Sequence, residues 1–135
     1  MSHFVTLRTE IREREALLEA LADLGFSYTE ARDGQLEVLG DDAATRSGNE
    51  KADIVVHNDT DFGIGLREEN GVYVVVADWY NIELGGGPRR GKFVSQLQQR
   101  YAYQVVMAQA REQNLIVEEE RQEDGEIVIV LSERG

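Results

Sequence analysis

The chain has 135 residues, enough to bury a hydrophobic core, and we predict a single domain over 1–135. Its 26 acidic residues outnumber 14 basic ones and give a net charge of −12, so we expect neither nucleic acid nor an anionic membrane as a partner. Cysteine is absent, which excludes disulfides, thiolate metal sites and thiol catalysis.

The termini and the apolar runs indicate the compartment. No run approaches the roughly 18 apolar residues of a membrane span, and the first residues lack the pattern of a signal peptide. We therefore expect a protein of the cytoplasm or the plastid stroma. His3 and His57 are the only imidazoles, and we predict no metal site and no cofactor.

The first predicted elements are a strand and a helix. His3–Arg8 alternates in the way that is typical of a strand, and Glu10–Leu24 carries an apolar stripe at helical spacing. Thr9 is a suitable N-cap for this helix, and Gly25 is a suitable residue just beyond its end.

Asp-Gly and Asn-Gly pairs predict the hairpins, because these residues tolerate the positive φ angles of two-residue type I′ turns. The pairs are Asp33-Gly34, Asn70-Gly71 and Asp124-Gly125. They would join Phe26–Arg32 to Gln35–Leu39, Phe62–Glu69 to Val72–Asp78, and Val117–Glu123 to Glu126–Leu131. A further hairpin joins Asp53–His57 to Phe62–Arg67. Gly40–Lys51 has no periodicity and is predicted to be a loop.

A second helix is predicted over Lys92–Gln113, and its more apolar second half is expected to lie deeper than its first half. The fold class is α+β, with two helices packed on a largely antiparallel multi-stranded sheet. The order strand, helix, hairpin occurs twice, which is compatible with an internal duplication, although we favour chance recurrence because α+β domains often repeat such units. The predicted core includes Leu17, Leu21, Val75, Leu97, Tyr101, Val105 and Ile129.

A glycine-rich basic loop precedes the second helix. Gly86–Lys92 matches the spacing of a phosphate-binding P-loop, but Phe93 stands where that motif needs Ser or Thr for magnesium. NTPase activity is therefore not predicted. Residues 82–100 nevertheless carry a local net charge of +3, from Arg89, Arg90, Lys92 and Arg100 against Glu83. This segment is either a solvated loop or a site for an anion or an acidic partner.

A polar cleft is the second candidate site. Asp78 and Trp79 end the predicted central strand, and His3 and Tyr103 are polar groups that could line a cleft with them. An acid beside a large aromatic can act as a general acid or base, but it can equally cap the following turn, which we favour. The chain offers no set of nucleophile, base and orienting group, so we predict no catalytic residues.

Several short motifs together resemble one known family. They are Met1–Phe4, Thr9–Arg12, Leu24–Phe26, Ala77–Trp79 and Gln96–Tyr103. The combination is similar, over nearly the whole chain, to the cyanobacterial and plastid family called hypothetical chloroplast open reading frame thirty-five, a domain of unknown function. The resemblance implies a compact cytoplasmic or stromal protein, associated with genes for AAA-class ATPases and small iron–sulfur proteins. Residues 40–51 and 85–92 depart from the family pattern.

Three functions follow from these observations. We favour a non-enzymatic interaction or adaptor module, accessory to an AAA-class ATPase, because the surface is acidic and no catalytic set is visible. The alternative is a small-ligand or anion-binding domain that uses the basic glycine-rich loop. The third is an enzyme using His3, Asp78, Arg100 and Tyr103. A protein partner is expected, while its identity and the oligomeric state are not predicted.

Overall fold

A computed structural model describes residues 4–40 and 50–133. The elements in chain order are β1 (Phe4–Arg8), α1 (Arg14–Asp23), β2 (Tyr28–Glu30), β3 (Leu36–Val38), β4 (Glu50–Ala52), β5 (Ile54–Val56), β6 (Ile64–Glu69), β7 (Val72–Asp78), α2 (Trp79–Leu84), α3 (Arg90–Glu112), β8 (Leu115–Glu123) and β9 (Glu126–Glu133). All strand pairs are antiparallel, which confirms the predicted α+β class.

The main sheet has five strands in the order β1-β7-β6-β5-β2. The turn between β6 and β7 has φ angles of 55° at Asn70 and 82° at Gly71, as a type I′ turn requires, so this predicted hairpin is confirmed. The predicted pairing of β5 with β6 is also confirmed. β7 is buried over most of its length because both faces of the sheet are covered.

One face of the sheet carries the helices and the larger core. Side chains of α1, α2 and the first half of α3 meet the strands there, and the buried members include Leu17, Leu21, Val75, Ile82, Phe93 and Leu97. The other face is covered by the two-stranded sheet of β3 and β4, whose Val38 and Ala52 pack on Val55 and Val76. None of the helices within residues 4–40 and 50–133 is long and apolar enough to cross a membrane.

The hairpin predicted at Asp33-Gly34 is wrong. Gly34 does have a positive φ of 74°, but β2 pairs with β5, and β3 pairs with β4. The two strands separate because their apolar side chains enter different cores: Tyr28 packs on the helix side, and Leu36 packs on the opposite face. The first of the two repeated units therefore lacks its hairpin, and the structure does not show an internal duplication.

The first helix begins later than predicted, at Arg14, and Thr9 is not its N-cap. The Thr9 hydroxyl instead donates to the Tyr73 carbonyl at 2.6 Å and accepts from the Ile11 amide at 3.0 Å. The Tyr73 amide donates to the Ile11 carbonyl at 2.8 Å, so the segment before the helix crosses the start of β7. Gly25 ends the helix with a φ of 84°, as predicted.

The predicted depth of the second helix is wrong. Leu97 and Phe93, in its first half, are buried, whereas Tyr101, Val105 and Ala108 are only half-buried. The second half lies beyond the main core and packs against β8 and β9, which form a separate two-stranded sheet with the predicted turn at Asp124-Gly125. Of the predicted core, Leu17, Leu21, Val75 and Leu97 are buried, while Tyr101, Val105 and Ile129 are half-buried.

Candidate functional site

The three glycines after α2 terminate that helix. Gly86 has a φ of 85°, its amide donates to the Glu83 carbonyl at 3.1 Å, and the Gly87 amide donates to the Ile82 carbonyl at 2.8 Å. This pattern is a Schellman motif. The Gly85 amide donates to the Asn81 carbonyl at 3.0 Å. Because α2 occupies all three amides, the glycine loop offers none of them to a phosphate.

The glycine loop also lies close to the turn after β5. A Cβ atom on Gly87 would come within 2.7 Å of Ile82 Cγ2 and 3.1 Å of Thr60 Cγ2. The turn itself is fixed by Asn58, whose Oδ1 accepts from the Thr60 amide at 2.8 Å and whose Nδ2 donates to the Phe62 carbonyl at 2.9 Å. Close packing therefore accounts for the glycines of the loop, and the hydrogen bonds of Asn58 account for the geometry of the turn after β5.

A cleft of about 310 Å³ lies between three loops. Its walls are Gly25, Phe26, Ser27, His57, Asn58, Asp59, Gly86, Gly87 and Pro88. Serine, histidine and aspartate all occur in these walls. The ring of His57, however, contacts Thr29, with Nε2 2.7 Å from the threonine hydroxyl, and the backbone amide of His57 donates to the Ser27 carbonyl. These contacts do not form a nucleophile–base–acid relay. Arg89, Arg90 and Lys92 are not among the walls.

A more distinctive surface lies where α2 leads into α3. Leu84 is 73% exposed and Tyr80 is 60% exposed, and they are one turn apart on α2. The side chains of Arg89, Arg90 and Lys92 follow within the next eight positions, are exposed, and make no ion pair within residues 4–40 and 50–133. We call these five residues the α2–α3 corner. The sequence patterns do not predict α2, although an apolar Leu84 directly before three glycines is a signal for the end of a short helix.

Arg100 belongs to a different network. Its Nε donates to Asp23 Oδ2 at 2.8 Å, and its guanidinium carbon lies 4.0 Å from the centre of the Tyr103 ring. The Tyr103 hydroxyl donates to Glu120 Oε2 at 3.1 Å. Arg90 and Arg100 are separated by about 15 Å along α3. The structure therefore brings Arg100 to Tyr103 and separates it from the cations of the corner.

Asp78 and Trp79 lie in the interior. Asp78 is 0% exposed, and its carboxylate accepts from the Asn81 amide at 3.3 Å and from Asn81 Nδ2 at 2.8 Å, which caps α2. Trp79 is 2% exposed, with its ring centre 5.8 Å from that of Phe93. These contacts support the capping role rather than an open polar cleft.

His3 lies outside the described residues, and no metal-binding cluster of His, Asp or Glu occurs within the described ranges.

The network of Asp23, Arg100, Tyr103 and Glu120 shifts two pKa values. Partial burial raises the pKa of Asp23, but hydrogen bonds from Arg100 and Gln104 outweigh it, so the net pKa lies below its ordinary value. Burial raises the pKa of Tyr103, and its hydrogen bond to Glu120 adds to that rise. The network links α1, α3 and β8 electrostatically.

Asp23→Asn tests this network. Since the folded-state pKa of Asp23 is depressed, the carboxylate stabilises the fold above its unfolded-state pKa and loses that effect as pH falls through the lower folded-state value. We expect the variant to be less stable at pH 7 by under about 1 kcal/mol, because the ion pair is partly solvated. The difference from wild type, measured by urea unfolding, should shrink below about pH 4. A difference that is unchanged at acid pH would contradict the assignment.

Comparison with known proteins identifies the family. The family model described as protein of unknown function DUF1257 matches residues 20–130. This chain belongs to that family. It is similar to the uncharacterized protein ycf35 of Cyanophora paradoxa, at 28% identity over 138 residues covering 97% of this chain and 96% of the relative. It is also similar to ycf35 of Pyropia yezoensis, at 27% identity over 133 residues covering 97% and 96%. No solved structure matches the chain.

The DUF1257 match places the corner inside the family region. It begins within α1 and ends within β9, so it includes α2, the glycine loop and the whole of α3. The resemblance seen in the sequence motifs is therefore confirmed at the level of the family. The family descriptions give no activity, and the function must be argued from the surface of the molecule.

Proposed function

We propose that this DUF1257 chain is a non-enzymatic interaction module that binds an acidic segment of a partner protein through the α2–α3 corner. One observation carries this proposal. The most exposed large apolar side chains in the described residues, Leu84 and Tyr80, precede the three exposed cations of the corner by only five to twelve positions, in a chain of net charge −12. Apolar anchors surrounded by charge are typical of protein interaction sites.

The exposure of Leu84 favours burial against a partner. Covering a leucine side chain fully contributes about 1.5–3 kcal/mol of hydrophobic free energy. The end of α2, which carries Leu84, is also held in place before binding by the Schellman bonds of Gly86 and Gly87. A fixed binding surface loses little conformational entropy on association, which increases affinity.

The charge of the corner indicates the chemistry of the partner. With Arg100 engaged by Asp23, the remaining charges from Ile82 to Lys92 are those of Glu83, Arg89, Arg90 and Lys92, a net charge of +2. We infer a partner segment that combines Asp or Glu with an apolar residue. An AAA-class ATPase, in the cytoplasm or the plastid stroma, is the partner that the sequence resemblance implies.

The small-ligand alternative has less support from the contacts. The amides of the glycine loop are bonded to α2, and the neighbouring cleft of about 310 Å³ contains no lysine or arginine. A protein partner, unlike a phosphate ligand, can contact the exposed cations of the corner without needing the amides of the glycine loop. The interaction module is therefore the function that the geometry favours.

Site-specific crosslinking in the native host tests the proposal. A photoreactive benzophenone amino acid replaces Leu84, and the same amino acid at the exposed Arg32 serves as the control position. We expect a crosslinked peptide rich in Asp and Glu from position 84 only. Equal capture from position 32 would contradict the proposal.

The cations are tested by the variant Arg89→Gln/Arg90→Gln/Lys92→Gln. We expect the melting temperature to stay within error of wild type, because the three charges are exposed, make no ion pair among the described residues, and therefore support little of the fold. Crosslinking from position 84 should be strongly reduced in this background, since the electrostatic attraction is gone. Undiminished crosslinking would show that the cations do not contribute to binding.

A further inference from the structure

A second polar cleft lies at another part of the molecule, beside the β6–β7 turn. It has a volume of about 320 Å³, and its walls are Arg8, Thr9, Arg12, Glu69, Asn70, Val72 and Val74. Arg8 ends β1, where it is paired in register with Val74 of β7. Arg12 lines the same cleft because the chain between β1 and α1 is not helical.

The two arginines are set in place by the backbone. Thr9, between them, is 8% exposed and holds the segment to β7 through its bond to the Tyr73 carbonyl. The amides of Arg12 and Glu13 both donate to the Tyr101 hydroxyl at 3.0 Å. The backbone at both arginines is therefore held by the protein's own contacts, so anion binding would have to order only their side chains.

The charges in the cleft are not balanced by the protein. Arg8 and Arg12 form no ion pair within residues 4–40 and 50–133, although the chain carries an excess of acid. Glu69 is the one carboxylate in the walls, and its Oε2 accepts from Arg67 Nε at 2.8 Å. Two guanidinium groups thus share one cleft with a carboxylate that already has its partner.

We propose that this cleft binds the oxyanion of a small molecule, a phosphate or carboxylate group held by Arg8 and Arg12. Guanidinium groups present paired N–H donors whose geometry matches both of these anions and stay charged at any physiological pH. The volume is at the lower end of the range for small-molecule sites, which fits a compact anionic ligand. This site is separate from the α2–α3 corner and does not depend on the function proposed there.

The test is a titration of the full chain, at low ionic strength, with inorganic phosphate and separately with succinate. The side-chain Nε–Hε signals of the arginines are followed by nuclear magnetic resonance. We expect saturable shifts of the Arg8 and Arg12 signals with at least one anion. Shifts with phosphate alone would identify a phosphorylated ligand, and shifts with succinate alone would identify a carboxylate ligand.

Two double variants supply the control. Arg8→Gln/Arg12→Gln should lower the affinity for the anion by about tenfold or more, which is the loss expected when charge-assisted hydrogen-bond donors are removed. Arg32→Gln/Arg111→Gln removes the same charge from exposed sites elsewhere and should leave affinity within about twofold, as for distant surface charges. Arg12→Gln alone keeps the test valid if the double variant is misfolded. The proposal is overturned if neither anion shifts the two signals, or if both double variants bind equally.

Discussion

Replacing Leu97 with alanine should lower the free energy of unfolding by about 2–5 kcal/mol. Leu97 is 0% exposed and lies in the core between the first half of α3 and the main sheet. The substitution removes buried apolar atoms and leaves a cavity that the surrounding helices and strands fill only in part. Because domains of this size are stable by about 5–15 kcal/mol, a loss of this size should be plain in urea unfolding and in the melting temperature.

The neighbouring Gln96 provides a matched control for Leu97. Gln96 is exposed on the same helix, so Gln96→Ala should change the stability by less than about 0.5 kcal/mol. If Leu97→Ala melts at the wild-type temperature, the buried face of α3 has been assigned wrongly, and the position of the α2–α3 corner would need revision with it.

Gly65→Ala should destabilise the protein by about 1–3 kcal/mol, the usual effect of overpacking a core. Gly65 lies in β6 beneath the β3–β4 sheet. A Cβ atom there would come within 2.5 Å of Val38 Cγ2, 2.9 Å of Ala52 Cβ and 3.0 Å of Val76 Cγ1. One methyl group would therefore push the small sheet away from the main one. Urea unfolding measures the loss of stability, and amide hydrogen exchange in β3 and β4 reports the separation.

A second substitution separates this clash from other effects of Gly65→Ala. Val38→Ala removes the nearest atom, so the double variant should be less destabilised than the sum of the two single variants. Gly91→Ala is the control, since nothing lies within 4 Å of its Cβ position and it is helical. That variant should be neutral or slightly stabilising. Additive effects of Gly65→Ala and Val38→Ala would contradict the packing that we describe between the sheets.

Turn residues predicted which chain segments reverse direction, but not which strands pair. Asn70-Gly71 and Asp124-Gly125 make hairpins because the strands on either side share one apolar surface. Asp33-Gly34 has the same local chemistry, and Gly34 adopts the expected positive φ of 74°. Its flanking strands nevertheless lie in different sheets, because Tyr28 and Leu36 are buried in separate cores. Local sequence carries no information about that division.

The start of α1 was mispredicted for a similar reason. Ile11 fits a helical stripe, and Thr9 is a good cap by residue type. The contacts that decide the structure come from Tyr73 and from Tyr101, which is 89 residues from Arg12. Because the predicted helix started at Glu10, it would have placed Arg12 on a helix and away from Arg8. The sequence therefore did not predict the cleft that these two arginines line.

The candidate site was predicted in part. Arg89, Arg90 and Lys92 stand out from the acidic composition, and the structure shows them exposed. Arg100 was grouped with them because its partner, Asp23, is 77 residues away in sequence. The short helix that displays Leu84 and Tyr80 has six residues, too few for periodicity to show.

The salt dependence of binding between this chain and the acidic peptide crosslinked from position 84 tests the central proposal most directly. Fluorescence anisotropy measures the Kd for wild type, for Arg89→Gln/Arg90→Gln/Lys92→Gln, and for Arg32→Gln/Lys51→Gln/Arg111→Gln, which removes the same charge elsewhere. We predict that salt raises the Kd of wild type and of the control variant. The corner variant should bind about tenfold more weakly at low salt and respond less to added salt, because screening acts on charges that it lacks. Equal Kd values and equal salt responses for all three proteins would contradict a role for the α2–α3 corner in partner binding.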